Sequence, residues 1–200
     1  MKKIIFIVLL VGLMTPAGLK AQQLYKVGSK IILDMTEAVG MPAGSVTNVP
    51  KYTAAYMSGK TPSNTSGPMT DNAGAGTINA YVYEKLEIAP YDLNTSAQIS
   101  ATGPYGMTWV DAFTGCRSAT YDGGGWRLPT QRELQMIFIF NIGIEDFSSV
   151  AFDSEMYWAA NEEFGIYAYY VYLAVGIGTG RIVLKVNSFR TRCVREVTTP

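Results

Sequence analysis

Gly123-Gly124-Gly125-Trp126-Arg127-Leu128-Pro129-Thr130-Gln131-Arg132-Glu133 is the stretch around which the rest of the chain is organised. Three glycines in a row admit backbone angles closed to a residue with a Cβ, so a tight turn is expected before Trp126. Trp126 and Leu128 are two apart, which places both side chains on one side of a short extended segment. Pro129 favours extended geometry at Leu128 and cannot itself continue a ladder. Thr130 has the character of a helix N-cap, with Glu133 three residues on as its capping-box partner. The apolar run Leu134, Met136, Ile137, Phe138, Ile139, Phe140 follows. The stretch predicts a glycine turn, a buried aromatic and a capped helix over about 130–141, stopped by Asn141 or Gly143. It contains no group that points to catalysis.

Before this joint, Thr108 opens another element, with Asp111 three residues later and Trp109, Ala112 and Phe113 as apolar positions. The pattern predicts a short amphipathic helix over 108–119 that carries Cys116. Further upstream, Tyr81, Tyr83, Leu86, Ile88 and Tyr91 give a strand-like segment ending at Pro90-Tyr91-Asp92. After the second helix the pattern becomes β: Tyr157–Ala160, Ala168–Val175, Arg181–Val186 and Arg190–Val197, with glycines and Asn187-Ser188 as turns. Cys193 lies in the last of these. The fold class expected is α+β, with two helices packed on short antiparallel sheets.

The N-terminus has the form of a secretory signal: Lys2 and Lys3, an apolar run from Ile4 to Met14, then Thr15 to Ala21. The run is too short to span a bilayer, which needs about 20 apolar residues. Cleavage after Ala21 removes Lys2, Lys3 and Lys20 and no acid, leaving three more acids than bases. That balance disfavours nucleic acid and anionic membrane surfaces as partners. No cysteine near the cleavage site offers a lipid anchor, and no second long apolar run follows, so no membrane insertion is expected after cleavage. The chain reads as exported, to the cell surface or medium or to the periplasm.

Histidine is absent, which removes the commonest general base and the commonest zinc ligand. The two cysteines, Cys116 and Cys193, form an even pair in an exported chain, which favours a structural disulfide; two buried free thiols are the alternative. No Cys-x-x-Cys spacing or neighbouring histidine prepares either sulfur for redox or nucleophilic work. No cofactor and no metal is expected, and no catalytic residue is assigned.

Residues 22–79 read as an N-terminal extension. Leu24 to Met35 holds one or two strands. In 57–79, 16 of the 23 residues are Gly, Ser, Thr, Pro or Asn, a composition that buries little and predicts a loop or connector. Asn64-Thr65-Ser66 and Asn94-Thr95-Ser96 match glycosylation acceptors, though turn residues are the plainer reading.

Met107-Thr108-Trp109-Val110-Asp111-Ala112, Cys116, Gly124-Gly125-Trp126-Arg127-Leu128-Pro129-Thr130 with Glu133-Leu134, Tyr157-Trp158-Ala159-Ala160-Asn161-Glu162 and Arg192-Cys193-Val194-Arg195 occur in that order. This series, covering roughly residues 80–198, resembles the bacterial collagen-like-adhesin C-terminal domains. Related modules end secreted and fimbria-associated surface proteins. The resemblance implies a C-type-lectin-like fold for 80–198, with its ends brought together, in which Trp126, Arg127, Leu128, Pro129, Thr130, Glu133 and Trp158 are fold-determining. It also implies a non-catalytic binding or adhesion module for a protein or glycan at the cell surface. A structural or accessory subunit of a surface assembly, with no ligand of its own, is the second reading. The acid-Pro-Asn, Gln-Pro-Asp and Trp-Asn-Asp signatures of calcium-dependent lectins are missing, and Glu162 and Glu163 read as a solvated turn. The Arg127-Leu128-Pro129-Thr130…Glu133 run also resembles formylglycine-generating oxygenases, a third reading against which histidine is absent and both cysteines fit a structural bridge.

Aromatics supply the remaining candidates. Phe164, Tyr167, Tyr170 and Tyr172 cluster around one turn and strand and could present rings to a sugar or protein. On that strand Tyr170 and Tyr172 share one face, and Tyr169, Val171, Leu173 and Val175 the other. Arg127, Arg192 and Arg195 are expected to be internal ion-pair partners.

Overall fold

A computed structural model describes residues 23–36, 46–47, 61–66, 82–141, 144, 155–163, 165–173 and 178–197. The expected signal segment and Phe164 lie outside the described residues. The centre is a strand, β6 (Met156–Glu162), in which every residue after Met156 is buried. Because side chains alternate along a strand, Tyr157 and Ala159 enter one apolar core while Trp158 and Ala160 enter another. The second of these cores belongs to helix α1 (Trp109–Ser118) and the first to helix α2 (Gln131–Ile139).

β6 pairs antiparallel with β7 (Tyr167–Tyr172), which pairs antiparallel with β8 (Gly180–Leu184). A second sheet runs β1-β2-β5-β9, all antiparallel: Gln23–Val27, Lys30–Asp34, Lys85–Ile88 and Val194–Glu196. A short parallel pair, β3 (Val46–Thr47) with β4 (Val82–Tyr83), completes the described strands. Among the described residues the class is therefore α+β, with helices α1 and α2 and two small antiparallel sheets. The four-stranded sheet takes two of its strands from the segment read in the sequence as an extension. Ile31 and Leu33 of β2 lie opposite Ile88 and Leu86 of β5 and are buried with them, so apolar alternation carries that hairpin into the core.

Both helices begin where their caps predict. Thr108 accepts from the Asp111 N–H at 3.3 Å. Thr130 accepts from the Glu133 N–H at 3.2 Å while Glu133 accepts from the Thr130 N–H at 2.8 Å, a full capping box. The glycine turn is required by geometry: Asp122, Gly123, Gly124 and Gly125 all have positive φ, from 45° to 88°. Only Asp122 carries a Cβ there, and Asp is among the residues that tolerate the left-handed region.

The organising stretch is the seam between the sheets. The Arg127 N–H donates to Val194 O at 2.8 Å and the Val194 N–H returns to Arg127 O at 2.9 Å, adding a bridge to β9. Two residues on, Pro129 O accepts from the Ala160 N–H of β6 at 2.8 Å. Trp126 and Leu128 are both buried in the α1 core. Among the described residues, no helix is long and apolar enough to cross a membrane.

Cys116 of α1 and Cys193, just before β9, form a disulfide across 77 positions, with both sulfurs buried. The bridge closes most of the chain between the first helix and the last strand, a long loop in the unfolded state. Its removal should cost about 2–5 kcal/mol. Cys116→Ala and Cys193→Ala should each show this loss in chemical denaturation, and the double variant little more than either, because the two changes delete one bond. Two reactive thiols in unfolded, unreduced protein would contradict the bridge.

Candidate functional site

The sequence stretch ends in a charged knot. Arg127 is 1% exposed and grips Glu133 with both terminal nitrogens, at 2.7 and 2.8 Å, while its Nε donates to Glu196 of β9. Glu133 also closes the α2 capping box and accepts from the Tyr83 N–H of β4 at 3.4 Å. Burial alone would push the Glu133 carboxyl up. The Arg127 charge and the hydrogen bonds from Arg127, Thr130 and Tyr83 outweigh burial and hold it below the usual carboxylate range. Glu133 and Glu196 in turn raise the Arg127 guanidinium against its burial.

Two further arginines are also consumed internally. Arg195 makes two 2.9 Å bonds to Glu87, donates to Asp122 O and Gly124 O, and lies 4.4 Å over the Trp126 ring. It thereby pins the glycine turn to the sheet. Arg192 donates from Nε to buried Asp92 at 2.6 Å, and Asp92 also accepts from Tyr157 Oη at 3.0 Å and Arg190 at 3.1 Å. Burial and the neighbouring Asp92 charge push the Tyr157 phenol up.

Glu162 corrects the sequence reading. It is the last residue of β6, fully buried, and ion-paired with fully buried Lys185, rather than part of a solvated turn. Lys185 Nζ also donates to Gly165 O, Ser63 O and Ser66 O at 2.8–3.1 Å and sits 4.8 Å from the Trp109 ring centre. A buried ammonium with three N–H donors is tolerated only where acceptors surround it in this way. Beside it, Asn64 donates to Thr108 Oγ1 at 3.1 Å and accepts from the Val110 N–H at 3.2 Å. The 61–66 segment is thus fastened across the start of α1, and the first glycosylation-like triplet serves as a cap. Asn94 of the second triplet accepts from the Ser96 and Gln98 N–H groups, both at 3.0 Å, as a turn residue does.

The tyrosine candidates do not converge. Tyr170 is half-buried, its ring 4.9 Å from Phe189, which in turn lies 4.7 Å from Trp158. Tyr167 is opposite Leu184 on the other face of the strand, beside Tyr169. Tyr172 is opposite Met156 at the far end of β7. Tyr169 donates its hydroxyl to Glu163, and burial together with that carboxylate pushes its phenol up to about 12.

A cleft of about 410 Å³ runs along α1 instead. Asp111, Thr114, Gly115 and Ser118 form one wall; Asn94, Thr95 and Ala97 form the second; Gly106, Met107 and Ser188 close it. The wall spacing is helical, a polar and small stripe visible in the sequence once α1 is assigned. Gly115 is small because Leu93 packs on it: a Cβ there would lie 2.6 Å from Leu93 Cδ2. Ala97 is held at φ 57°, in the left-handed region, inside the loop that Asn94 ties together. Such a residue carries strain on the order of 1–3 kcal/mol. The walls bring hydroxyls, an amide and one carboxylate to an open groove with no basic side chain among the lining residues. No group of three or more Asp, Glu, Cys or His that could hold a metal occurs among the described residues.

Neither a family model nor a curated protein matches this chain.

Because the Glu133 carboxyl is held low in the folded state, its contribution to stability is complete above its unfolded value of about 4.5 and is lost as pH falls through the folded value. Glu133→Gln should therefore be less stable than the parent at neutral pH and lose less on acidification. The two denaturation midpoints should converge as the pH falls through the folded value; parallel curves would remove Glu133 from the acid transition.

Proposed function

We propose that this chain is an exported, non-catalytic binding module with a C-type-lectin-like fold, of the kind that ends collagen-like adhesins and fimbria-associated proteins. Several features support the fold reading. β5 and β9 lie side by side near the two ends of the 80–198 region, both helices fall between them, and a disulfide runs from the first helix to the last strand. Export is supported by the Lys2-Lys3 start and apolar run, and by the disulfide, which persists in oxidising compartments.

The observation that carries the binding reading is the α1 cleft, with its hydroxyl-rich walls and strained Ala97 at the rim. Strained backbone gathers at ligand sites because the surrounding structure must hold it in place. A groove of Thr, Ser and Asn groups, with one carboxylate and no cation, suits a neutral, hydroxyl-bearing ligand such as a surface glycan. The oxygenase reading is weakened because Arg127 and Glu133 are spent on each other and both sulfurs are joined. The assembly-subunit reading draws on a different surface, the free edge of β8.

Titration of isotope-labelled protein with neutral oligosaccharides, followed by amide NMR, tests the cleft. The expected result is that shifts cluster at 94–97, 106–118 and 188, and that Thr114→Arg, which fills the groove, abolishes them without lowering the melting temperature. Binding that persists in Thr114→Arg, or no shift with any oligosaccharide at millimolar concentration, would reject the cleft as a glycan site.

A further inference from the structure

The exposed large hydrophobic residues are unevenly placed. Of six among the described residues, four gather at one end of the β7–β8 hairpin: Ile166, Ile182, Leu184 and Val186. Ile182 and Leu184 lie opposite Tyr169 and Tyr167, so all four of those side chains share the α2-facing side of the sheet. Helix α2 covers only the start of β8. Its Gln131 sits directly over Gly180, and the strand then runs out beyond the helix. Ile182 and Leu184 are left 46% and 36% exposed in a row.

Among the described residues, β8 is also the last strand of its sheet. The Lys185 N–H donates to Ile166 O at 2.8 Å, which sets the phase of the antiparallel ladder. Alternation then turns Arg181 and Val183 backbone groups toward β7 and those of Ile182 and Leu184 toward the open side. Natural edge strands are guarded by proline, bulges, or lysine on the outer positions. In the four-stranded sheet, the outer strand β1 has exposed Lys26. β8 has no proline, its pairing with β7 is regular, and its outward pair is isoleucine and leucine.

We propose that the β8 edge is a pairing surface for a second copy of this chain, the two strands joining antiparallel about Val183. A two-fold axis there sets Ile182 against Leu184 of the copy, twice, and continues the three-stranded sheet into one of six. Charge permits this register. Arg181 falls opposite residue 185 of the copy, and the Lys185 ammonium is already buried against Glu162. A second copy fits better than an unrelated strand because the apolar pair is self-complementary under that axis, as an isologous contact requires. Two short strands and a few side chains bury less than the ~1,600 Å² of a standard stable interface, so a weak, concentration-dependent dimer is expected. This inference is independent of the cleft and survives its failure.

Sedimentation of the purified protein from micromolar to millimolar concentration gives the test. The parent should shift from monomer to dimer across that range. Ile182→Lys, at an exposed position, should stay monomeric with an unchanged melting temperature. Val183→Cys should cross-link to itself on mild oxidation, since the axis puts it in a non-hydrogen-bonded pair with Cα atoms ~4.5 Å apart, within disulfide reach. Val27→Cys, on the guarded edge, serves as the control. A parent that remains monomeric throughout would overturn the proposal and leave the edge to a strand of another protein. It would equally fall if Ile182→Lys dimerised as the parent does, or if Val183→Cys cross-linked no faster than Val27→Cys.

Discussion

The guanidinium of Arg127, closed between Glu133 and Glu196, is the contact on which the rest of the structure depends. Three charged groups, none more than 10% exposed, can be removed from water only if each finds its partner. They do so because Pro129 and the Thr130 cap turn the chain from extended to helical within three residues, bringing Glu133 back beneath Arg127. Glu133 then serves twice, as the α2 capping partner and as the counter-ion. Through Glu196 and the Arg127–Val194 bridge the same residue is bound to β9. Arg127 and its neighbour Pro129 thus connect the start of the second helix, the last strand of one sheet and β6 of the other.

Around this knot the fold is two cores separated by β6. The α1 core is closed covalently by the Cys116–Cys193 bridge and capped at its outer end by Lys185, which gathers Glu162, the 165 turn and the 61–66 segment. Among the described residues, the α2 core has no such closure. It relies on the β2–β5 alternation and on Leu134 and Ile137 packing against Tyr157 and Val171. The asymmetry bears on function. α1, clamped at both ends, offers a rigid polar stripe as the wall of a cleft. The α2 side stops short of the end of β8 and leaves an apolar edge uncovered.

The helices, their caps, the glycine turn and the β character of the C-terminal half are legible in the sequence because each rests on neighbours a few residues apart. Thr108 with Asp111 and Thr130 with Glu133 are such pairs. The arginine partners are legible only as a class, since nothing local says that Arg192 meets Asp92 or that Arg195 meets Glu87. Glu162 is misread as solvated because its cation, Lys185, lies just past the end of β8, far along the chain, and because an adjacent Glu163 suggests a polar turn. The tyrosines of β7 look like one surface in a list, but the alternation of the strand divides them between two faces. The cleft is half legible: the Asp111, Thr114, Gly115 and Ser118 spacing is present, whereas the Asn94 loop that makes it a groove is placed by Leu93 packing on Gly115.

The knot is tested most directly by hydrogen exchange on Arg127→Met, with α2 and β9 followed separately. If Arg127 unites the layers, leaving Glu133 and Glu196 buried without their cation should destabilise both elements together, by about 3–5 kcal/mol. The slowest amides of Leu134–Ile137 and of Val194–Glu196 should lose protection by the same amount. Loss confined to α2, with β9 protected as in the parent, would contradict the account and make Arg127 a local helix contact.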